Sequence, residues 1–208
     1  MNSKTYKSIE LFIIFILLPV SFVFSYALSI KLSLGFIGFL YVIYILLKVE
    51  NQKFKIAPNL NWIRFWKNTL IKFSIIAILT SLFVWFTNKE MLFEVVINKP
   101  VMWMALLIVY SFFSVYPQEL LYRTFFFKRY KHFFKSESLC FFVNAILFSL
   151  AHLFFKNSLV LVITFLGGLI FAFTFNKTKS TLLVSMEHAI YGSWLFTVGM
   201  GAMLGFPT

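Results

Sequence analysis

Seven long stretches of this chain carry almost no charge, and they dictate its solvent. They run over 11–30, 32–47, 69–87, 101–127, 138–155, 158–175 and 180–204. Each reaches or approaches the ~17–25 residues a helix needs to cross ~30 Å of hydrocarbon. A chain of 208 residues that is 61% hydrophobic, with 30 Phe, cannot hide that much apolar surface in a water-soluble core of its size. Backbone amides in lipid must bond within their own segment, and a β-barrel would show short alternating strands in place of these runs. The expectation is an all-α integral membrane protein, a single domain built as a bundle of about seven or eight transmembrane helices.

The N-terminus places Lys4 and Lys7 before an apolar run, as a secretion signal does. That run exceeds the ~7–15 residues of a signal core and a second span follows at once, so it reads as the first span. The net charge of +12 raises nucleic acid as a partner, but the 19 basic residues are distributed otherwise. With the N-terminus in the cytoplasm, thirteen fall on that side: Lys4 and Lys7; Lys48, Lys53, Lys55, Arg64 and Lys67; Lys128, Arg129, Lys131 and Lys135; Lys177 and Lys179. The opposite side keeps Lys31, Lys89, Lys99 and Lys156, and Lys72 and Arg123 lie within spans. This is a positive-inside pattern. It implies a cytoplasmic N-terminus and membrane lipid as partner, with no nucleic acid; the expected location is a bacterial cytoplasmic membrane.

Cys140 is the sole cysteine. It precedes His152 by a rise of ~18 Å on one predicted helix, so that histidine cannot activate it. In the extended polar stretch 48–68, Trp62, Phe65, Trp66 and Thr69 or Leu70 recur at helical spacing among Arg64 and Lys67, as in a helix lying in the membrane interface. Pro117, well inside the fourth span, removes a backbone donor and should kink or restart that helix.

The residues after Pro117 are the most polar in the membrane. An ionisable side chain at mid-bilayer costs at least ~2.5–3.5 kcal/mol on insertion scales, so each requires a partner or a role. The fourth span carries Gln118, Glu119 and Arg123; the fifth carries His152; the seventh carries Glu187 and His188. Counting from the cytoplasmic ends puts Glu119 and His188 ~12 Å deep and His152 ~21 Å deep. Glu119 and Arg123 are four apart with the acid first, the favoured order for a helical ion pair. Asn144, Phe148 and His152 share one helical stripe. Convergence of the fourth, fifth and seventh spans on a polar interior pocket satisfies all of them. Taken singly, each is also explained without catalysis, as a neutralising pair or a hydrogen-bonded core histidine.

Gln118-Glu119-Leu120-Leu121-Tyr122-Arg123 resembles the Glu-Glu-x-x-x-Arg motif of the CAAX-processing and bacteriocin-processing (CPBP, or Abi) intramembrane peptidases. Phe148-Ser149-Leu150-Ala151-His152 is similar to that family's Phe-x-x-x-His. The stretch Gly168 to Leu183, with Thr178, Ser180 and Leu182, resembles the approach to its last histidine motif, which His188 supplies. The resemblance covers roughly residues 100–200, which makes 100–204 the expected peptidase core and 1–99 its preceding helices. Two positions depart from the pattern. Gln118 stands where the family has the glutamate that activates water with the second-motif histidine, and Gly192, followed by Ser193, stands where it has an asparagine that helps to hold the oxyanion.

The resemblance implies an endopeptidase that uses protein-bound water on a membrane-associated peptide or protein. Glutamine cannot accept a proton, so Glu119 or Glu187 is the expected base, with His152 sharing the water and His188 stabilising the oxyanion beside Ser193 or Tyr191. Ser149 and Ser185 each precede a histidine by three residues, but no Gly-x-Ser-x-Gly elbow accompanies them. No cofactor is indicated outright; a zinc-dependent version would draw on His152, His188 and Glu119, without the usual His-Glu-x-x-His. Two other classes compete. One is an inactive relative serving as an immunity or scaffold protein, which Gln118 favours. The other is a transporter, against which the lack of a half-to-half repeat counts.

Overall fold

A computed structural model describes residues 1, 3–53 and 60–204, except the side chain of Leu204. Residues 54–59, with Lys55 and the middle of the polar stretch, and the terminal Thr208 lie outside the described residues. All regular structure among the described residues is helical. The long helices are α1 (4–21), α2 (Leu28–Val49), α3 (Trp62–Thr87), α5 (Pro100–Phe133), α6 (Glu137–Phe155), α7 (Ser158–Thr178) and α8 (Thr181–Val198), with a short α4 (Glu94–Asn98) between α3 and α5.

Five of these, α2, α3, α5, α6 and α7, are long and apolar enough to cross a membrane. The other two expected spans exist as helices but are more polar. α1 carries Lys4, Lys7 and Glu10, and α8 carries Glu187 and His188, both buried. Large side chains such as Ile63, Phe86, Val101 and Phe113 are about four-fifths exposed, the outward apolar surface that only lipid tolerates.

Helix ends follow capping chemistry more closely than hydropathy, and this shifts several expected boundaries. The first span, expected at 11–30, begins at Lys4, where the Ser3 hydroxyl accepts the Tyr6 amide proton at 3.2 Å, and ends by Ser21. The helix at 32–47 extends to Leu28–Val49. The aromatic repeat Trp62, Phe65, Trp66 and Thr69 does not form a separate interfacial helix. It is the opening of α3, which starts where Asn61 Oδ1 accepts from the Arg64 amide at 2.9 Å. The α-helical part of α6 ends at Leu150, so His152, expected within the span 138–155, sits in the turn after it.

α6 and α7 form a tight antiparallel hairpin. A Cβ on Gly168 would lie 2.9 Å from the Ala145 backbone, so glycine permits the close approach. Asn157 caps α7 and Ser180 caps α8, with Lys179 at φ 51° turning the chain between them. α8 packs against α3 through Trp194, whose indole donates to Thr80 at 2.9 Å, and against α5 through the site residues. α1 lies on the far side of α5, where Phe15 makes ring contacts with Tyr122, Phe125, Phe126 and Tyr130. α5 runs on through Pro117 without a break, but its hydrogen bonding changes there: π-type turns over Tyr110–Val115 and Leu120–Phe125 flank the α-helical turn Tyr116–Glu119.

Candidate active site

Consecutive helical residues point about 100° apart, and α5 and α8 both use this to divide labour. Gln118 and His188 face a cavity of about 420 Å³ that His152 also lines. Their neighbours Glu119 and Glu187 do not line it; both are fully buried behind its wall.

Behind the wall runs a chain of positioning contacts. Asn144 on α6 accepts from Arg123 Nη1 and donates to the Tyr122 carbonyl at 2.7 Å. Arg123 Nε lies 3.2 Å from Glu119 Oε2, and its guanidinium sits 4.8 Å from the centre of the Phe148 ring. The other oxygen of Glu119, Oε1, is 2.8 Å from His188 Nδ1. A carboxylate only accepts, so Nδ1 carries a proton and His188 presents its other nitrogen elsewhere. Glu119 thus meets a histidine at His188. His152 joins through the cavity and through Phe148, whose ring is 4.9 Å from the His152 ring and 5.7 Å from that of His188.

His152 has its own local arrangement. Its Nδ1 lies 2.8 Å from the Phe148 carbonyl four residues earlier. A carbonyl cannot donate, so Nδ1 bears the proton and Nε2 is left as a lone pair. Gln118 Nε2 donates to Ser114 Oγ at 2.8 Å, while its Oε1 is buried with no hydrogen-bond partner among the described residues. Tyr110, Ser114 and Gln118 form an i, i+4, i+8 stripe on the cavity wall.

Three expected participants do not offer their polar atoms to this cavity. Glu187 pairs with Lys72 of α3 and accepts from Tyr191 Oη at 2.8 Å, on a different face of α8 from His188. Tyr191 touches the cavity but commits its hydroxyl to Glu187 and the Thr69 carbonyl. Ser193 is not among the cavity residues. Ser149 donates to the Leu161 carbonyl, Ser185 is buried, and Cys140 is a buried free thiol. Among the described residues no group of three or more His, Cys, Asp or Glu is arranged to hold a metal, so the set His152, His188 and Glu119 is not assembled as zinc ligands.

Tyr110 is the cavity residue that motif reasoning missed. A Cβ at Gly192 would lie 2.7 Å from Tyr110 Cε1 and overlap its hydroxyl, so the tyrosine occupies the space that a side chain at 192 would need. Its ring meets the His188 ring edge-on with centroids 6.1 Å apart. Its place eight residues before Gln118 was the available signal.

The fold is that of an integral membrane protein with a polar cavity between α5, α6 and α8. Residues 100–194, which hold α5 to α8 almost entire, match the family model described as Type II CAAX prenyl endopeptidase Rce1-like. No curated protein and no solved structure matched the chain.

Proposed function

We propose that this chain is an intramembrane endopeptidase that hydrolyses a peptide bond of a membrane-associated substrate with a histidine-activated water. The observation that carries the reading is one cavity onto which three helices bring Gln118, His152 and His188, with His152 Nδ1 held by the Phe148 carbonyl so that Nε2 is the nitrogen left to accept. Residues 100–204 supply the chemistry and the preceding helices support it. His152 Nε2 takes a proton from the water as its oxygen bonds to the carbonyl carbon. The oxyanion forms beside His188 and Tyr110, and Glu119 stabilises charge on His188 as it donates. The proton held on His152 then passes to the amide nitrogen, the C–N bond breaks, and the amine and carboxylic acid leave. Gln118 contributes an amide that orients water or substrate through its unpartnered Oε1. No step is routed through a metal.

The competing reading is an inactive relative that keeps the pocket for binding, and the presence of Gln118 in the cavity favours it. Purified protein in lipid vesicles, incubated with a library of membrane-tethered peptides, separates the two. Cleavage by the wild type is expected, and Gln118→Glu is expected to shift the pH profile without a large gain in rate, since it adds a second acid beside Glu119. A silent wild type with cleavage appearing only in Gln118→Glu would establish the inactive relative instead.

The orientation belongs to the same reading, with the N-terminus cytoplasmic. A phosphatase that folds only outside the cytoplasm, fused after Thr208, is expected to be active. An inactive fusion would mean that the chain crosses an even number of times.

A further inference from the structure

A second and larger cavity, about 830 Å³, opens between the first turns of α3 and the last turns of α7. Its mouth carries Arg64 and Lys177, its back Lys72, and no acidic residue is among its lining residues. Glu187 behind it neutralises Lys72, which leaves the two mouth cations in excess. The floor holds Thr69, 1% exposed, whose hydroxyl is buried without a hydrogen-bond partner among the described residues. The outer walls are apolar and face lipid: Ile71 and Phe173 are each about half exposed.

We propose that this cavity binds the phosphate headgroup of an anionic phospholipid. Arg64 and Lys177 supply charge-assisted donors, the Thr69 hydroxyl supplies a neutral donor at depth, and an acyl chain runs along Ile71 and Phe173. The bilayer is the ligand source in continuous contact with this face, and a glycerophospholipid matches the sequence of cation, hydroxyl and apolar wall along the cavity. Ile170 lines both this cavity and the histidine cavity, so a bound lipid would seal the side of the α3–α7 seam nearest the site. The proposal does not depend on the peptidase reading.

The test uses the full chain in phosphatidylcholine vesicles with spin-labelled phosphatidylglycerol or phosphatidylcholine, reading the motionally restricted fraction of each. The wild type is expected to select phosphatidylglycerol, and Arg64→Gln/Lys177→Gln is expected to lose about fivefold of that selectivity for each charge removed. Lys128→Gln/Lys135→Gln removes the same charge from the same end of the bundle outside the cavity and is expected to lose little. Two results would overturn the proposal: no selectivity in the wild type, or equal losses in the two double variants.

Discussion

His152→Ala is expected to lower the turnover of a membrane-tethered peptide by ~10²–10⁴-fold, the range that a general base contributes. The side chain sits in the turn after the last full α-helical turn of α6 and hydrogen-bonds a backbone carbonyl, so its loss should leave the bundle folded. Glu187 is the informative comparison, because sequence reasoning offers it as a base while its partners are Lys72 and Tyr191. Glu187→Gln should leave the turnover of folded protein far closer to wild type and lower stability instead, since it strips Lys72 of its counter-ion. Single-turnover rates, normalised to folded protein, decide between them. A loss in Glu187→Gln equal to that in His152→Ala would return the base to the carboxylate.

The parts of this site that were legible in the sequence are those that helical spacing encodes. Glu119 and Arg123 are i, i+4, and so are Phe148 and His152, and each pair meets within its own helix or through it. Hydropathy located the spans because lipid penalises charge along a whole segment. What hydropathy could not locate were helix ends, since Ser3, Asn61 and Ser180 start helices by hydrogen bonding and not by apolarity. Hydropathy likewise does not show that α6 gives way to a turn just before His152. The partner of Glu187 was unreadable because Lys72 lies 115 positions away and meets it only when α3 packs on α8. Adjacency to His188 suggested a shared site, but helical phase sends neighbouring side chains to different faces. Gly192 read as a missing asparagine, yet the packed structure gives its space to Tyr110, which no local pattern linked to residue 192.

The same limit hid a dense set of contacts outside the site. Arg129 counts as one more topogenic cation in the sequence, but it is fully buried at the end of α5, bonded to Glu10 of α1, to Glu50 at 2.7 Å and to the Met1 carbonyl at 2.8 Å. Tyr41 and Tyr130 both donate to Glu10, so this carboxylate joins α1, α2 and α5. Arg129→Leu would leave Glu10 charged and buried with two hydroxyls and no cation, and removing one member of a buried pair costs ~3–5 kcal/mol. The expected result is a large drop in resistance to thermal or detergent unfolding, with loss of activity following because α1 braces the helix that carries Gln118 and Glu119. If the cost lies in the uncompensated charge and not in lost packing, Glu10→Gln placed in the same chain should recover much of it, since an amide carries no charge, its oxygen still accepts from one tyrosine, and its NH2 can donate to the hydroxyl oxygen of the other. A double variant no more stable than Arg129→Leu alone would show that the shape of the guanidinium, and not its charge, holds the three helices together.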